Sequence, residues 1–385
     1  MKHEWNDKTL VVYPVGEITS VNSEALRTEI FAFLKEQPCE KLVLDMIDLA
    51  YISSAGLRVL LSLKKEVGDI TAFNASHEVY EVLEITGFTK IIKVRRALVD
   101  LDISSATKIG EGRTGIVYRI NKDTIVKVYK RDVSIESIDR EMELSRESFV
   151  LGIPTAITFD IVRVNGKLGT RFEMLDCKTL DEEILAHPEK FEEYLDNYTN
   201  LLKKVHSTED DFLPLPSKKE AFIKHAKNCL PFLSEEQGEK LLKLFSAIPE
   251  AETFVHGDIH IKNIMTDGND LYLIDMGSLS KGYPIFDLAA LYRTFYGFDL
   301  GEPGNTERFF EMPRDLLDRI YAGVMKRYFN GNYTEETADK IALVGLAYLL
   351  SWGRRYEGDD SAFAIAASKA LPPLVEKVED LTLPL

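Results

Sequence analysis

Cysteine is scarce: Cys39, Cys177 and Cys229 are the only three in 385 residues, and they lie far apart with no metal-ligand spacing. That excludes a disulfide framework and suits a reducing, cytoplasmic setting. No apolar run reaches the length of a membrane span; Ile341 to Trp352 stops at twelve residues and reads as a buried helix. No signal-peptide pattern opens the chain, so export is not expected. Positive charge is in deficit, with 47 Lys and Arg against 63 Asp and Glu, a net −16. Such acidity argues against nucleic acid as a partner and disfavours anionic membranes. Internal repeats and low-complexity segments are absent too. What is left, 45% hydrophobic and 29% charged residues over a length beyond one ordinary domain, is a soluble globular balance.

The charge divides unevenly. Residues 1–100 hold 12 Lys and Arg against 15 Asp and Glu, a net −3, which leaves −13 on the remainder. The apolar pattern breaks from Val94 to Ser105, where Arg95, Arg96, Asp100, Asp102, Ser104 and Ser105 cluster. Ahead of this joint, β-prone and helical segments alternate. Thr9 to Ile18, Lys41 to Met46 and Ile70 to Asn74 read as strands; Ser23 to Lys35, Ser54 to Glu66 and His77 to Ile85 read as helices. That spacing predicts a small α/β domain with a mixed sheet.

Beyond the joint, the stretch His256-Gly257-Asp258-Ile259-His260-Ile261-Lys262-Asn263 puts a carboxylate and an amide five positions apart, just before a short hairpin. Ile264 to Thr266 is β-prone, Asp267 to Asp270 is turn-rich, and Leu271 to Asp275 is β-prone again. Folding the hairpin brings Asn263 and Asp275 side by side at its open end. Two hard oxygen ligands then face one small space, as Mg²⁺ bridging nucleotide phosphates requires. Asp258, just upstream, is placed to take a proton from an attacking hydroxyl. The alternative is a plain loop with a strand-end carboxylate paired to some lysine.

Further upstream, Ile109-Gly110-Glu111-Gly112-Arg113-Thr114-Gly115-Ile116-Val117 matches G-x-G-x-x-G-x-V, and Lys127 follows inside the apolar strand Ile125-Val126-Lys127-Val128. The segment after the glycines is β-branched and turns at Asn121 to Thr124, so the pattern is strand-turn-strand. A dinucleotide-binding loop would open a helix instead. Gly110, Gly112 and Gly115 let backbone lie close over phosphates, and Lys127 can hold phosphate oxygens by charge. A helix over Ser134 to Gly152 offers Glu136, Glu141, Glu143 and Glu147 as partners for Lys127. Glu141, mid-helix beside the apolar stripe, is the favoured one; a solvated surface charge is the other reading for each.

These motifs, with Ile274-Asp275 and Phe286-Asp287-Leu288-Ala289, resemble the aminoglycoside phosphotransferase and choline kinase group, relatives of protein kinases. The resemblance covers 106–385 and implies an α+β bilobal fold with ATP and Mg²⁺ in the cleft. It places the N-lobe at 106–175, the hinge at 173–177 and the C-lobe at 178–385. It implies catalytic roles for Asp258, Lys127 and Glu141, and metal ligation by Asn263 and Asp275. Nucleotide contacts are implied for Gly110, Gly112, Gly115, Lys127, Glu173 and Leu175, with Asp287 bracing the catalytic loop. Three positions depart from the pattern: Lys262 and Cys177 replace small residues, and His260 stands where protein kinases place a lysine.

Leu44-Asp45-Met46-Ile47-Asp48-Leu49-Ala50-Tyr51-Ile52-Ser53-Ser54-Ala55-Gly56-Leu57, with Val82-Leu83-Glu84-Ile85-Thr86-Gly87-Phe88 downstream, resembles STAS domains of the anti-sigma-factor antagonist type. On that resemblance 1–97 is an α/β STAS domain, 98–105 a linker, and Ser54 matches the phosphoacceptor serine, with Ser53 in place of the usual preceding aspartate. A serine at a helix start is otherwise simply an N-cap. A phosphate at Ser54 would sit on the positive helix end.

The acceptor is least legible. Helices are expected over Lys190 to His206, Glu235 to Ile248 and within Arg314 to Val378. Asp299, Glu302, Glu307 and Glu311 suit either a cationic acceptor or a solvated loop. Arg354-Arg355 suits an anionic acceptor or a helix C-terminus. Only twelve positions separate Asp275 from Asp287 and no Ala-Pro-Glu follows, which leaves no room for a long activation loop. Three functions fit: a kinase of a small hydroxyl compound with the STAS domain as regulatory or docking module for a protein partner; a kinase of protein hydroxyls, Ser54 included; and a nucleotide-binding scaffold. The intact set of Lys127, Asp258, Asn263 and Asp275 speaks against the last.

Overall fold

A computed structural model describes residues 1–112, 114–209, 215–358 and 361–385; Arg113 of the glycine-rich segment lies outside the described residues. Two compact units form, one from Met1–Asp102 with Ile161–Gly166, the other from Ile103–Asp160 with Lys167–Leu385.

The first unit is built on a five-stranded sheet in the order Lys2–Asn6, Thr9–Tyr13, Lys41–Asp45, Asp69–Ala75, Lys93–Arg96. The first pair is antiparallel and the rest are parallel, so the sheet is mixed. Apolar strand residues Leu10, Val12, Leu42, Leu44, Ile70 and Ala72 are buried against helices that supply Leu60, Leu63, Val79 and Leu83. Among the strands that escaped the sequence reading are Lys2–Asn6, Leu49–Ile52 and Lys93–Arg96. The last claims residues read as the start of the joint, with the Arg95 and Arg96 guanidinium groups set over the Phe73 and Tyr80 rings at 4.9 and 4.1 Å from the centroids. Within the expected linker, Val99 and Asp100 pair in parallel with Val162 and Arg163.

Leu49–Ile52 pairs in parallel with Gly16–Ile18, and this second small sheet aims the helix Ser54–Val67. A Cβ at Gly56 would lie 2.7 Å from both Ile18 and Ile52 side chains, so only glycine lets the helix sit this close to the strands. Ser53 is the N-cap, its hydroxyl accepting the Gly56 N–H at 3.4 Å. Ser54 is the first helical residue and is exposed.

In the second unit four antiparallel strands run in the order Lys167–Glu173, Thr124–Tyr129, Gly115–Arg119, Thr107–Glu111. The helix Ile135–Val150 follows, capped by Ser134 through the Ser137 N–H. The remainder is largely helical around one core, with Phe191–Ser207, Lys218–Cys229, Glu235–Ser246, Ile285–Tyr292, Arg314–Tyr328, Glu335–Tyr356 and Ala362–Lys377 as its main helices. Ile341 to Trp352 lies inside one of them, mostly buried. No helix among the described residues is long and apolar enough to cross a membrane.

Candidate active site

The hairpin forms as its turn residues dictate, Ile264–Thr266 against Leu271–Leu273, and the Ile274 N–H closes on the Asn263 carbonyl at 3.0 Å. Asn263 and Asp275 therefore flank its open end. The Asn263 amide donates to the Asp258 carbonyl oxygen at 2.8 Å and to Asp258 Oδ2 at 3.4 Å, which leaves its own carbonyl oxygen as the donor to a cation. Asp275 takes a left-handed backbone (φ 63°, ψ 55°), a conformation that aspartate bears better than most side chains.

Lys127 sits between two carboxylates, its Nζ 3.6 Å from Glu141 Oε1 and 3.7 Å from Asp275 Oδ1. Burial works to lower this ammonium's pKa, but Asp275 and then Glu141 outweigh it and hold it above its ordinary value. One cation between two acids leaves Glu141 short of charge, and burial pushes its carboxyl up. Gly110, Gly112 and Gly115 lie on or between the two strands before Lys127, and the Gly112 N–H donates to the Gly115 carbonyl. A Cβ on Gly115 would stand 2.8 Å from the Val128 carbonyl oxygen, one on Gly110 would rest in ordinary contact 3.8 Å from the Val117 side chain, and Gly112 faces open space. In the segment expected to form the hinge, Glu173 and Met174 donate their N–H groups to the Ile157 and Asp123 carbonyls, while the Leu175 N–H meets no acceptor among the described residues.

The stretch from His256 to Asn263 is clamped by Asp287, fully buried, which accepts the His256 N–H at 2.8 Å, the Gly257 N–H at 2.6 Å and a bond from His206 Nε2 at 3.1 Å. His206 leans on the Tyr328 hydroxyl at 2.7 Å, and Tyr198 donates to the Ile259 carbonyl at 2.6 Å. Burial alone would raise the Asp287 pKa; the His206 bond and charge, with the Gly257 N–H, overcome it and hold the carboxyl below its ordinary value. The loop's shape is thus fixed by buried charge-assisted bonds.

Arg293, which opens a π-helical turn after Ile285–Tyr292, holds Asp258 Oδ1 at 3.0 Å and stacks 4.4 Å from the Tyr348 ring. His260 approaches Asp258 Oδ2 at 3.7 Å, packs edge-on against Phe309 and Phe310, and is kept neutral chiefly by burial, with Asp258 pulling the other way. Lys262 turns away to Asp181 at 2.9 Å, so it adds no charge beside Asn263. Cys177 is half-buried, its thiol pushed up to about 11 by burial and by Asp267 and Asp176.

Sequence reasoning missed Arg293, Lys218 and His206. A signal for Lys218 existed, since Ser217 with Glu220 three residues on marks a helix start. Of the acids considered for a cationic acceptor, Asp299 pairs with Arg314 at 3.0 Å, Glu302 with Arg308 at 2.7 Å, and Glu307 accepts the Arg314 N–H at 3.2 Å. Arg354 donates to the Asn228 carbonyl at 2.6 Å.

Residues 105–323, more than half of the chain, match the model of the family described as "Phosphotransferase enzyme family". Residues 2–101 match that of the STAS domain. Over 92 residues the chain is 37% identical to BtrV of Bordetella bronchiseptica, named as a candidate anti-sigma factor antagonist, across 23% of this chain and 78% of that protein. Over 104 residues it is 26% identical to an anti-sigma F factor antagonist of Paenibacillus polymyxa, across 25% of this chain and 89% of that protein. Among solved structures it is similar to the ADP-bound aminoglycoside phosphotransferase APH(2'')-Ib, with 19% identity and a TM-score of 0.48 over 75% of this chain and 96% of that one. A choline/ethanolamine kinase family protein of Mesorhizobium loti is similar at 14% identity and a TM-score of 0.46, over 70% of this chain and 88% of that one.

Proposed function

The chain belongs to the phosphotransferase enzyme family, and on that premise we propose that it moves the γ-phosphate of ATP to a hydroxyl of a small molecule, with Mg²⁺ as cofactor and the STAS domain as a regulatory or docking module. The observation that carries this reading is the fixing of Asp258 between Arg293, Asn263 and His260, with one carboxylate oxygen on each side engaged and the group still 41% exposed. A carboxylate so held can accept a proton without having to be found by diffusion.

Lys127, braced by Glu141, orients nucleotide phosphates; the strands bearing Gly110, Gly112 and Gly115 cover them. The Leu175 N–H, which meets no acceptor among the described residues, lies beside Glu173 and suits the purine edge. Asn263 and Asp275 offer two hard oxygens, a donor set that fits Mg²⁺ when phosphates complete its shell. Bound there, the ion would neutralise charge spreading over the transferring group. As the acceptor hydroxyl approaches, Asp258 takes its proton. The free cysteines Cys39, Cys177 and Cys229 suit a cytoplasmic setting.

Asp258→Asn should leave ATP binding nearly intact and slow turnover by a factor on the order of 10² or more; full activity in that variant would sink the assignment. A second reading, phosphorylation of a protein hydroxyl, is favoured by one observation: Ser54 is exposed at the first position of its helix while Ser53 does the capping. Intact mass after incubation with Mg-ATP separates the two. A single added phosphate that vanishes in both Ser54→Ala and Asp258→Asn supports self-modification; an unchanged mass supports the small acceptor.

A further inference from the structure

Two cations, Lys218 and Arg293, stand near Asp258. Lys218 opens the helix Lys218–Cys229 and reaches over the catalytic loop, its Nζ 2.5 Å from where a Cβ on Gly257 would stand. Its one hydrogen bond goes to the Ser278 carbonyl oxygen at 3.4 Å, and no carboxylate pairs with it among the described residues. Arg293 comes from a second element, with its side chain 11% exposed, one nitrogen on Asp258 and its plane on Tyr348. One helical face on from Lys218, His225 bonds the Ser351 hydroxyl at 2.8 Å, which Asn228 also reaches at 2.9 Å. Burial first, then the charges of Lys218, Arg293 and Arg355, push His225 down to about 4, so it stands as a neutral hydrogen-bonding group inside a cationic rim.

The acids nearby are already engaged. Asp258 is held by Arg293, Asp287 is buried beneath the loop, Asp299 and Glu302 pair with Arg314 and Arg308 of neighbouring helices, and Glu307 accepts the Arg314 backbone N–H. Burial holds the Lys218 ammonium below its ordinary pKa, Asp287 and Asp258 offset this only in part and Arg293 adds to it, so an anion arriving beside its Nζ would be stabilised.

We propose that the acceptor is an anionic hydroxyl compound whose phosphate or carboxylate is held by Lys218 and Arg293 beside Asp258. This rests on the phosphotransferase reading above. In the step that follows, the acceptor oxygen forms a bond to the γ-phosphorus and the bond from that phosphorus to the β,γ-bridging oxygen breaks. Its electron pair leaves on the nucleoside diphosphate, and the acceptor's proton passes to Asp258. The anionic group of the acceptor is not consumed; it positions the hydroxyl.

The test uses the full chain saturated with Mg-ATP or its non-hydrolysable analogue. Labelling of Lys218 by an amine-reactive reagent, read by peptide mass spectrometry, should slow severalfold in inorganic phosphate or acetate and not in choline at equal ionic strength; the two anions tell a phosphate site from a carboxylate site. Transfer from radiolabelled ATP is then measured to glycerol, choline, glycerol 3-phosphate and glycerate. Transfer to the charged acids, with Lys218→Met raising the acceptor KM about ten-fold or more, supports the proposal. Preference for choline or glycerol, equal labelling in every solute, or a Lys218→Met variant that loses kcat with acceptor KM unmoved would overturn it, the last by assigning Lys218 to the transferring phosphoryl. Protection of Lys218 alongside no transfer to any compound, indistinguishable from Asp258→Asn, would instead overturn the phosphotransfer reading on which the acceptor depends.

Discussion

Arg293 Nη2 lies 3.0 Å from Asp258 Oδ1, and the two residues are 35 positions apart in the chain. The candidate base is therefore aimed by a guanidinium that the Tyr348 ring in turn holds flat. Arg293→Ala should lower kcat by a factor on the order of 10², the scale of a small misplacement of a reacting group. Arg293→Lys restores the charge but not the planar fork, and only part of the rate should return. Steady-state kinetics of the pair checks this; equal rates in both variants would mean that orientation is set elsewhere.

Asp287 accepts two backbone N–H groups and His206 while fully buried. Asp287→Ala strands those donors and should cost about 3–5 kcal/mol in urea unfolding at neutral pH. Because the folded pKa is held below the ordinary carboxylate value, the stabilisation is present above that value and is lost as pH falls through the folded one. The difference between wild type and Asp287→Ala should thus shrink in acid.

His225 titrates at about 4 in the fold against 6.5 when free. The folded state binds fewer protons between these values, so stability is full above 6.5 and declines as pH falls toward 4, by up to ~3 kcal/mol. His225→Gln should flatten the stability profile across that window. An unchanged slope would show that the imidazole is not buried as described.

Ser53 and Ser54 are adjacent but not equivalent. Ser53→Ala removes the cap and should cost about 1 kcal/mol, whereas Ser54→Ala, exposed and outside the cap, should stay within about 0.5 kcal/mol. Thermal unfolding of the two variants distinguishes them. The reverse order would reassign the helix start.

The site was legible where chemistry is written in short, fixed spacing. The glycines before Lys127, the interval from Asp258 to Asn263 and the hairpin to Asp275 each lie within one local unit, so turn and strand propensities carry them. Glu141 could be singled out because helical periodicity placed it beside an apolar stripe, and its Oε1 stands 3.6 Å from Lys127 Nζ. Arg293 and His206 were not legible, since each is aimed from a helical segment whose facing is decided by tertiary packing, with sequence separations of 35 to Asp258 and 81 to Asp287; for Lys218 only the helix start was written in the sequence, not the side it faces. In the first unit, Lys2–Asn6 and Lys93–Arg96 are half-exposed outer strands with charged residues, where alternation is weak. The acids near Asp299 looked available only because their arginine partners, Arg308 and Arg314, sit in neighbouring helical turns that composition does not reveal.

The left-handed backbone at Asp275 sets two selective pressures against each other. Glycine would relax that conformation by about 1 kcal/mol or more. It would also delete the carboxylate that faces Lys127 and the hairpin's open end. A search for heat-resistant variants of this protein would therefore be drawn to Asp275→Gly and would enrich well-folded, inactive chains, so any such screen needs an activity filter at this one position.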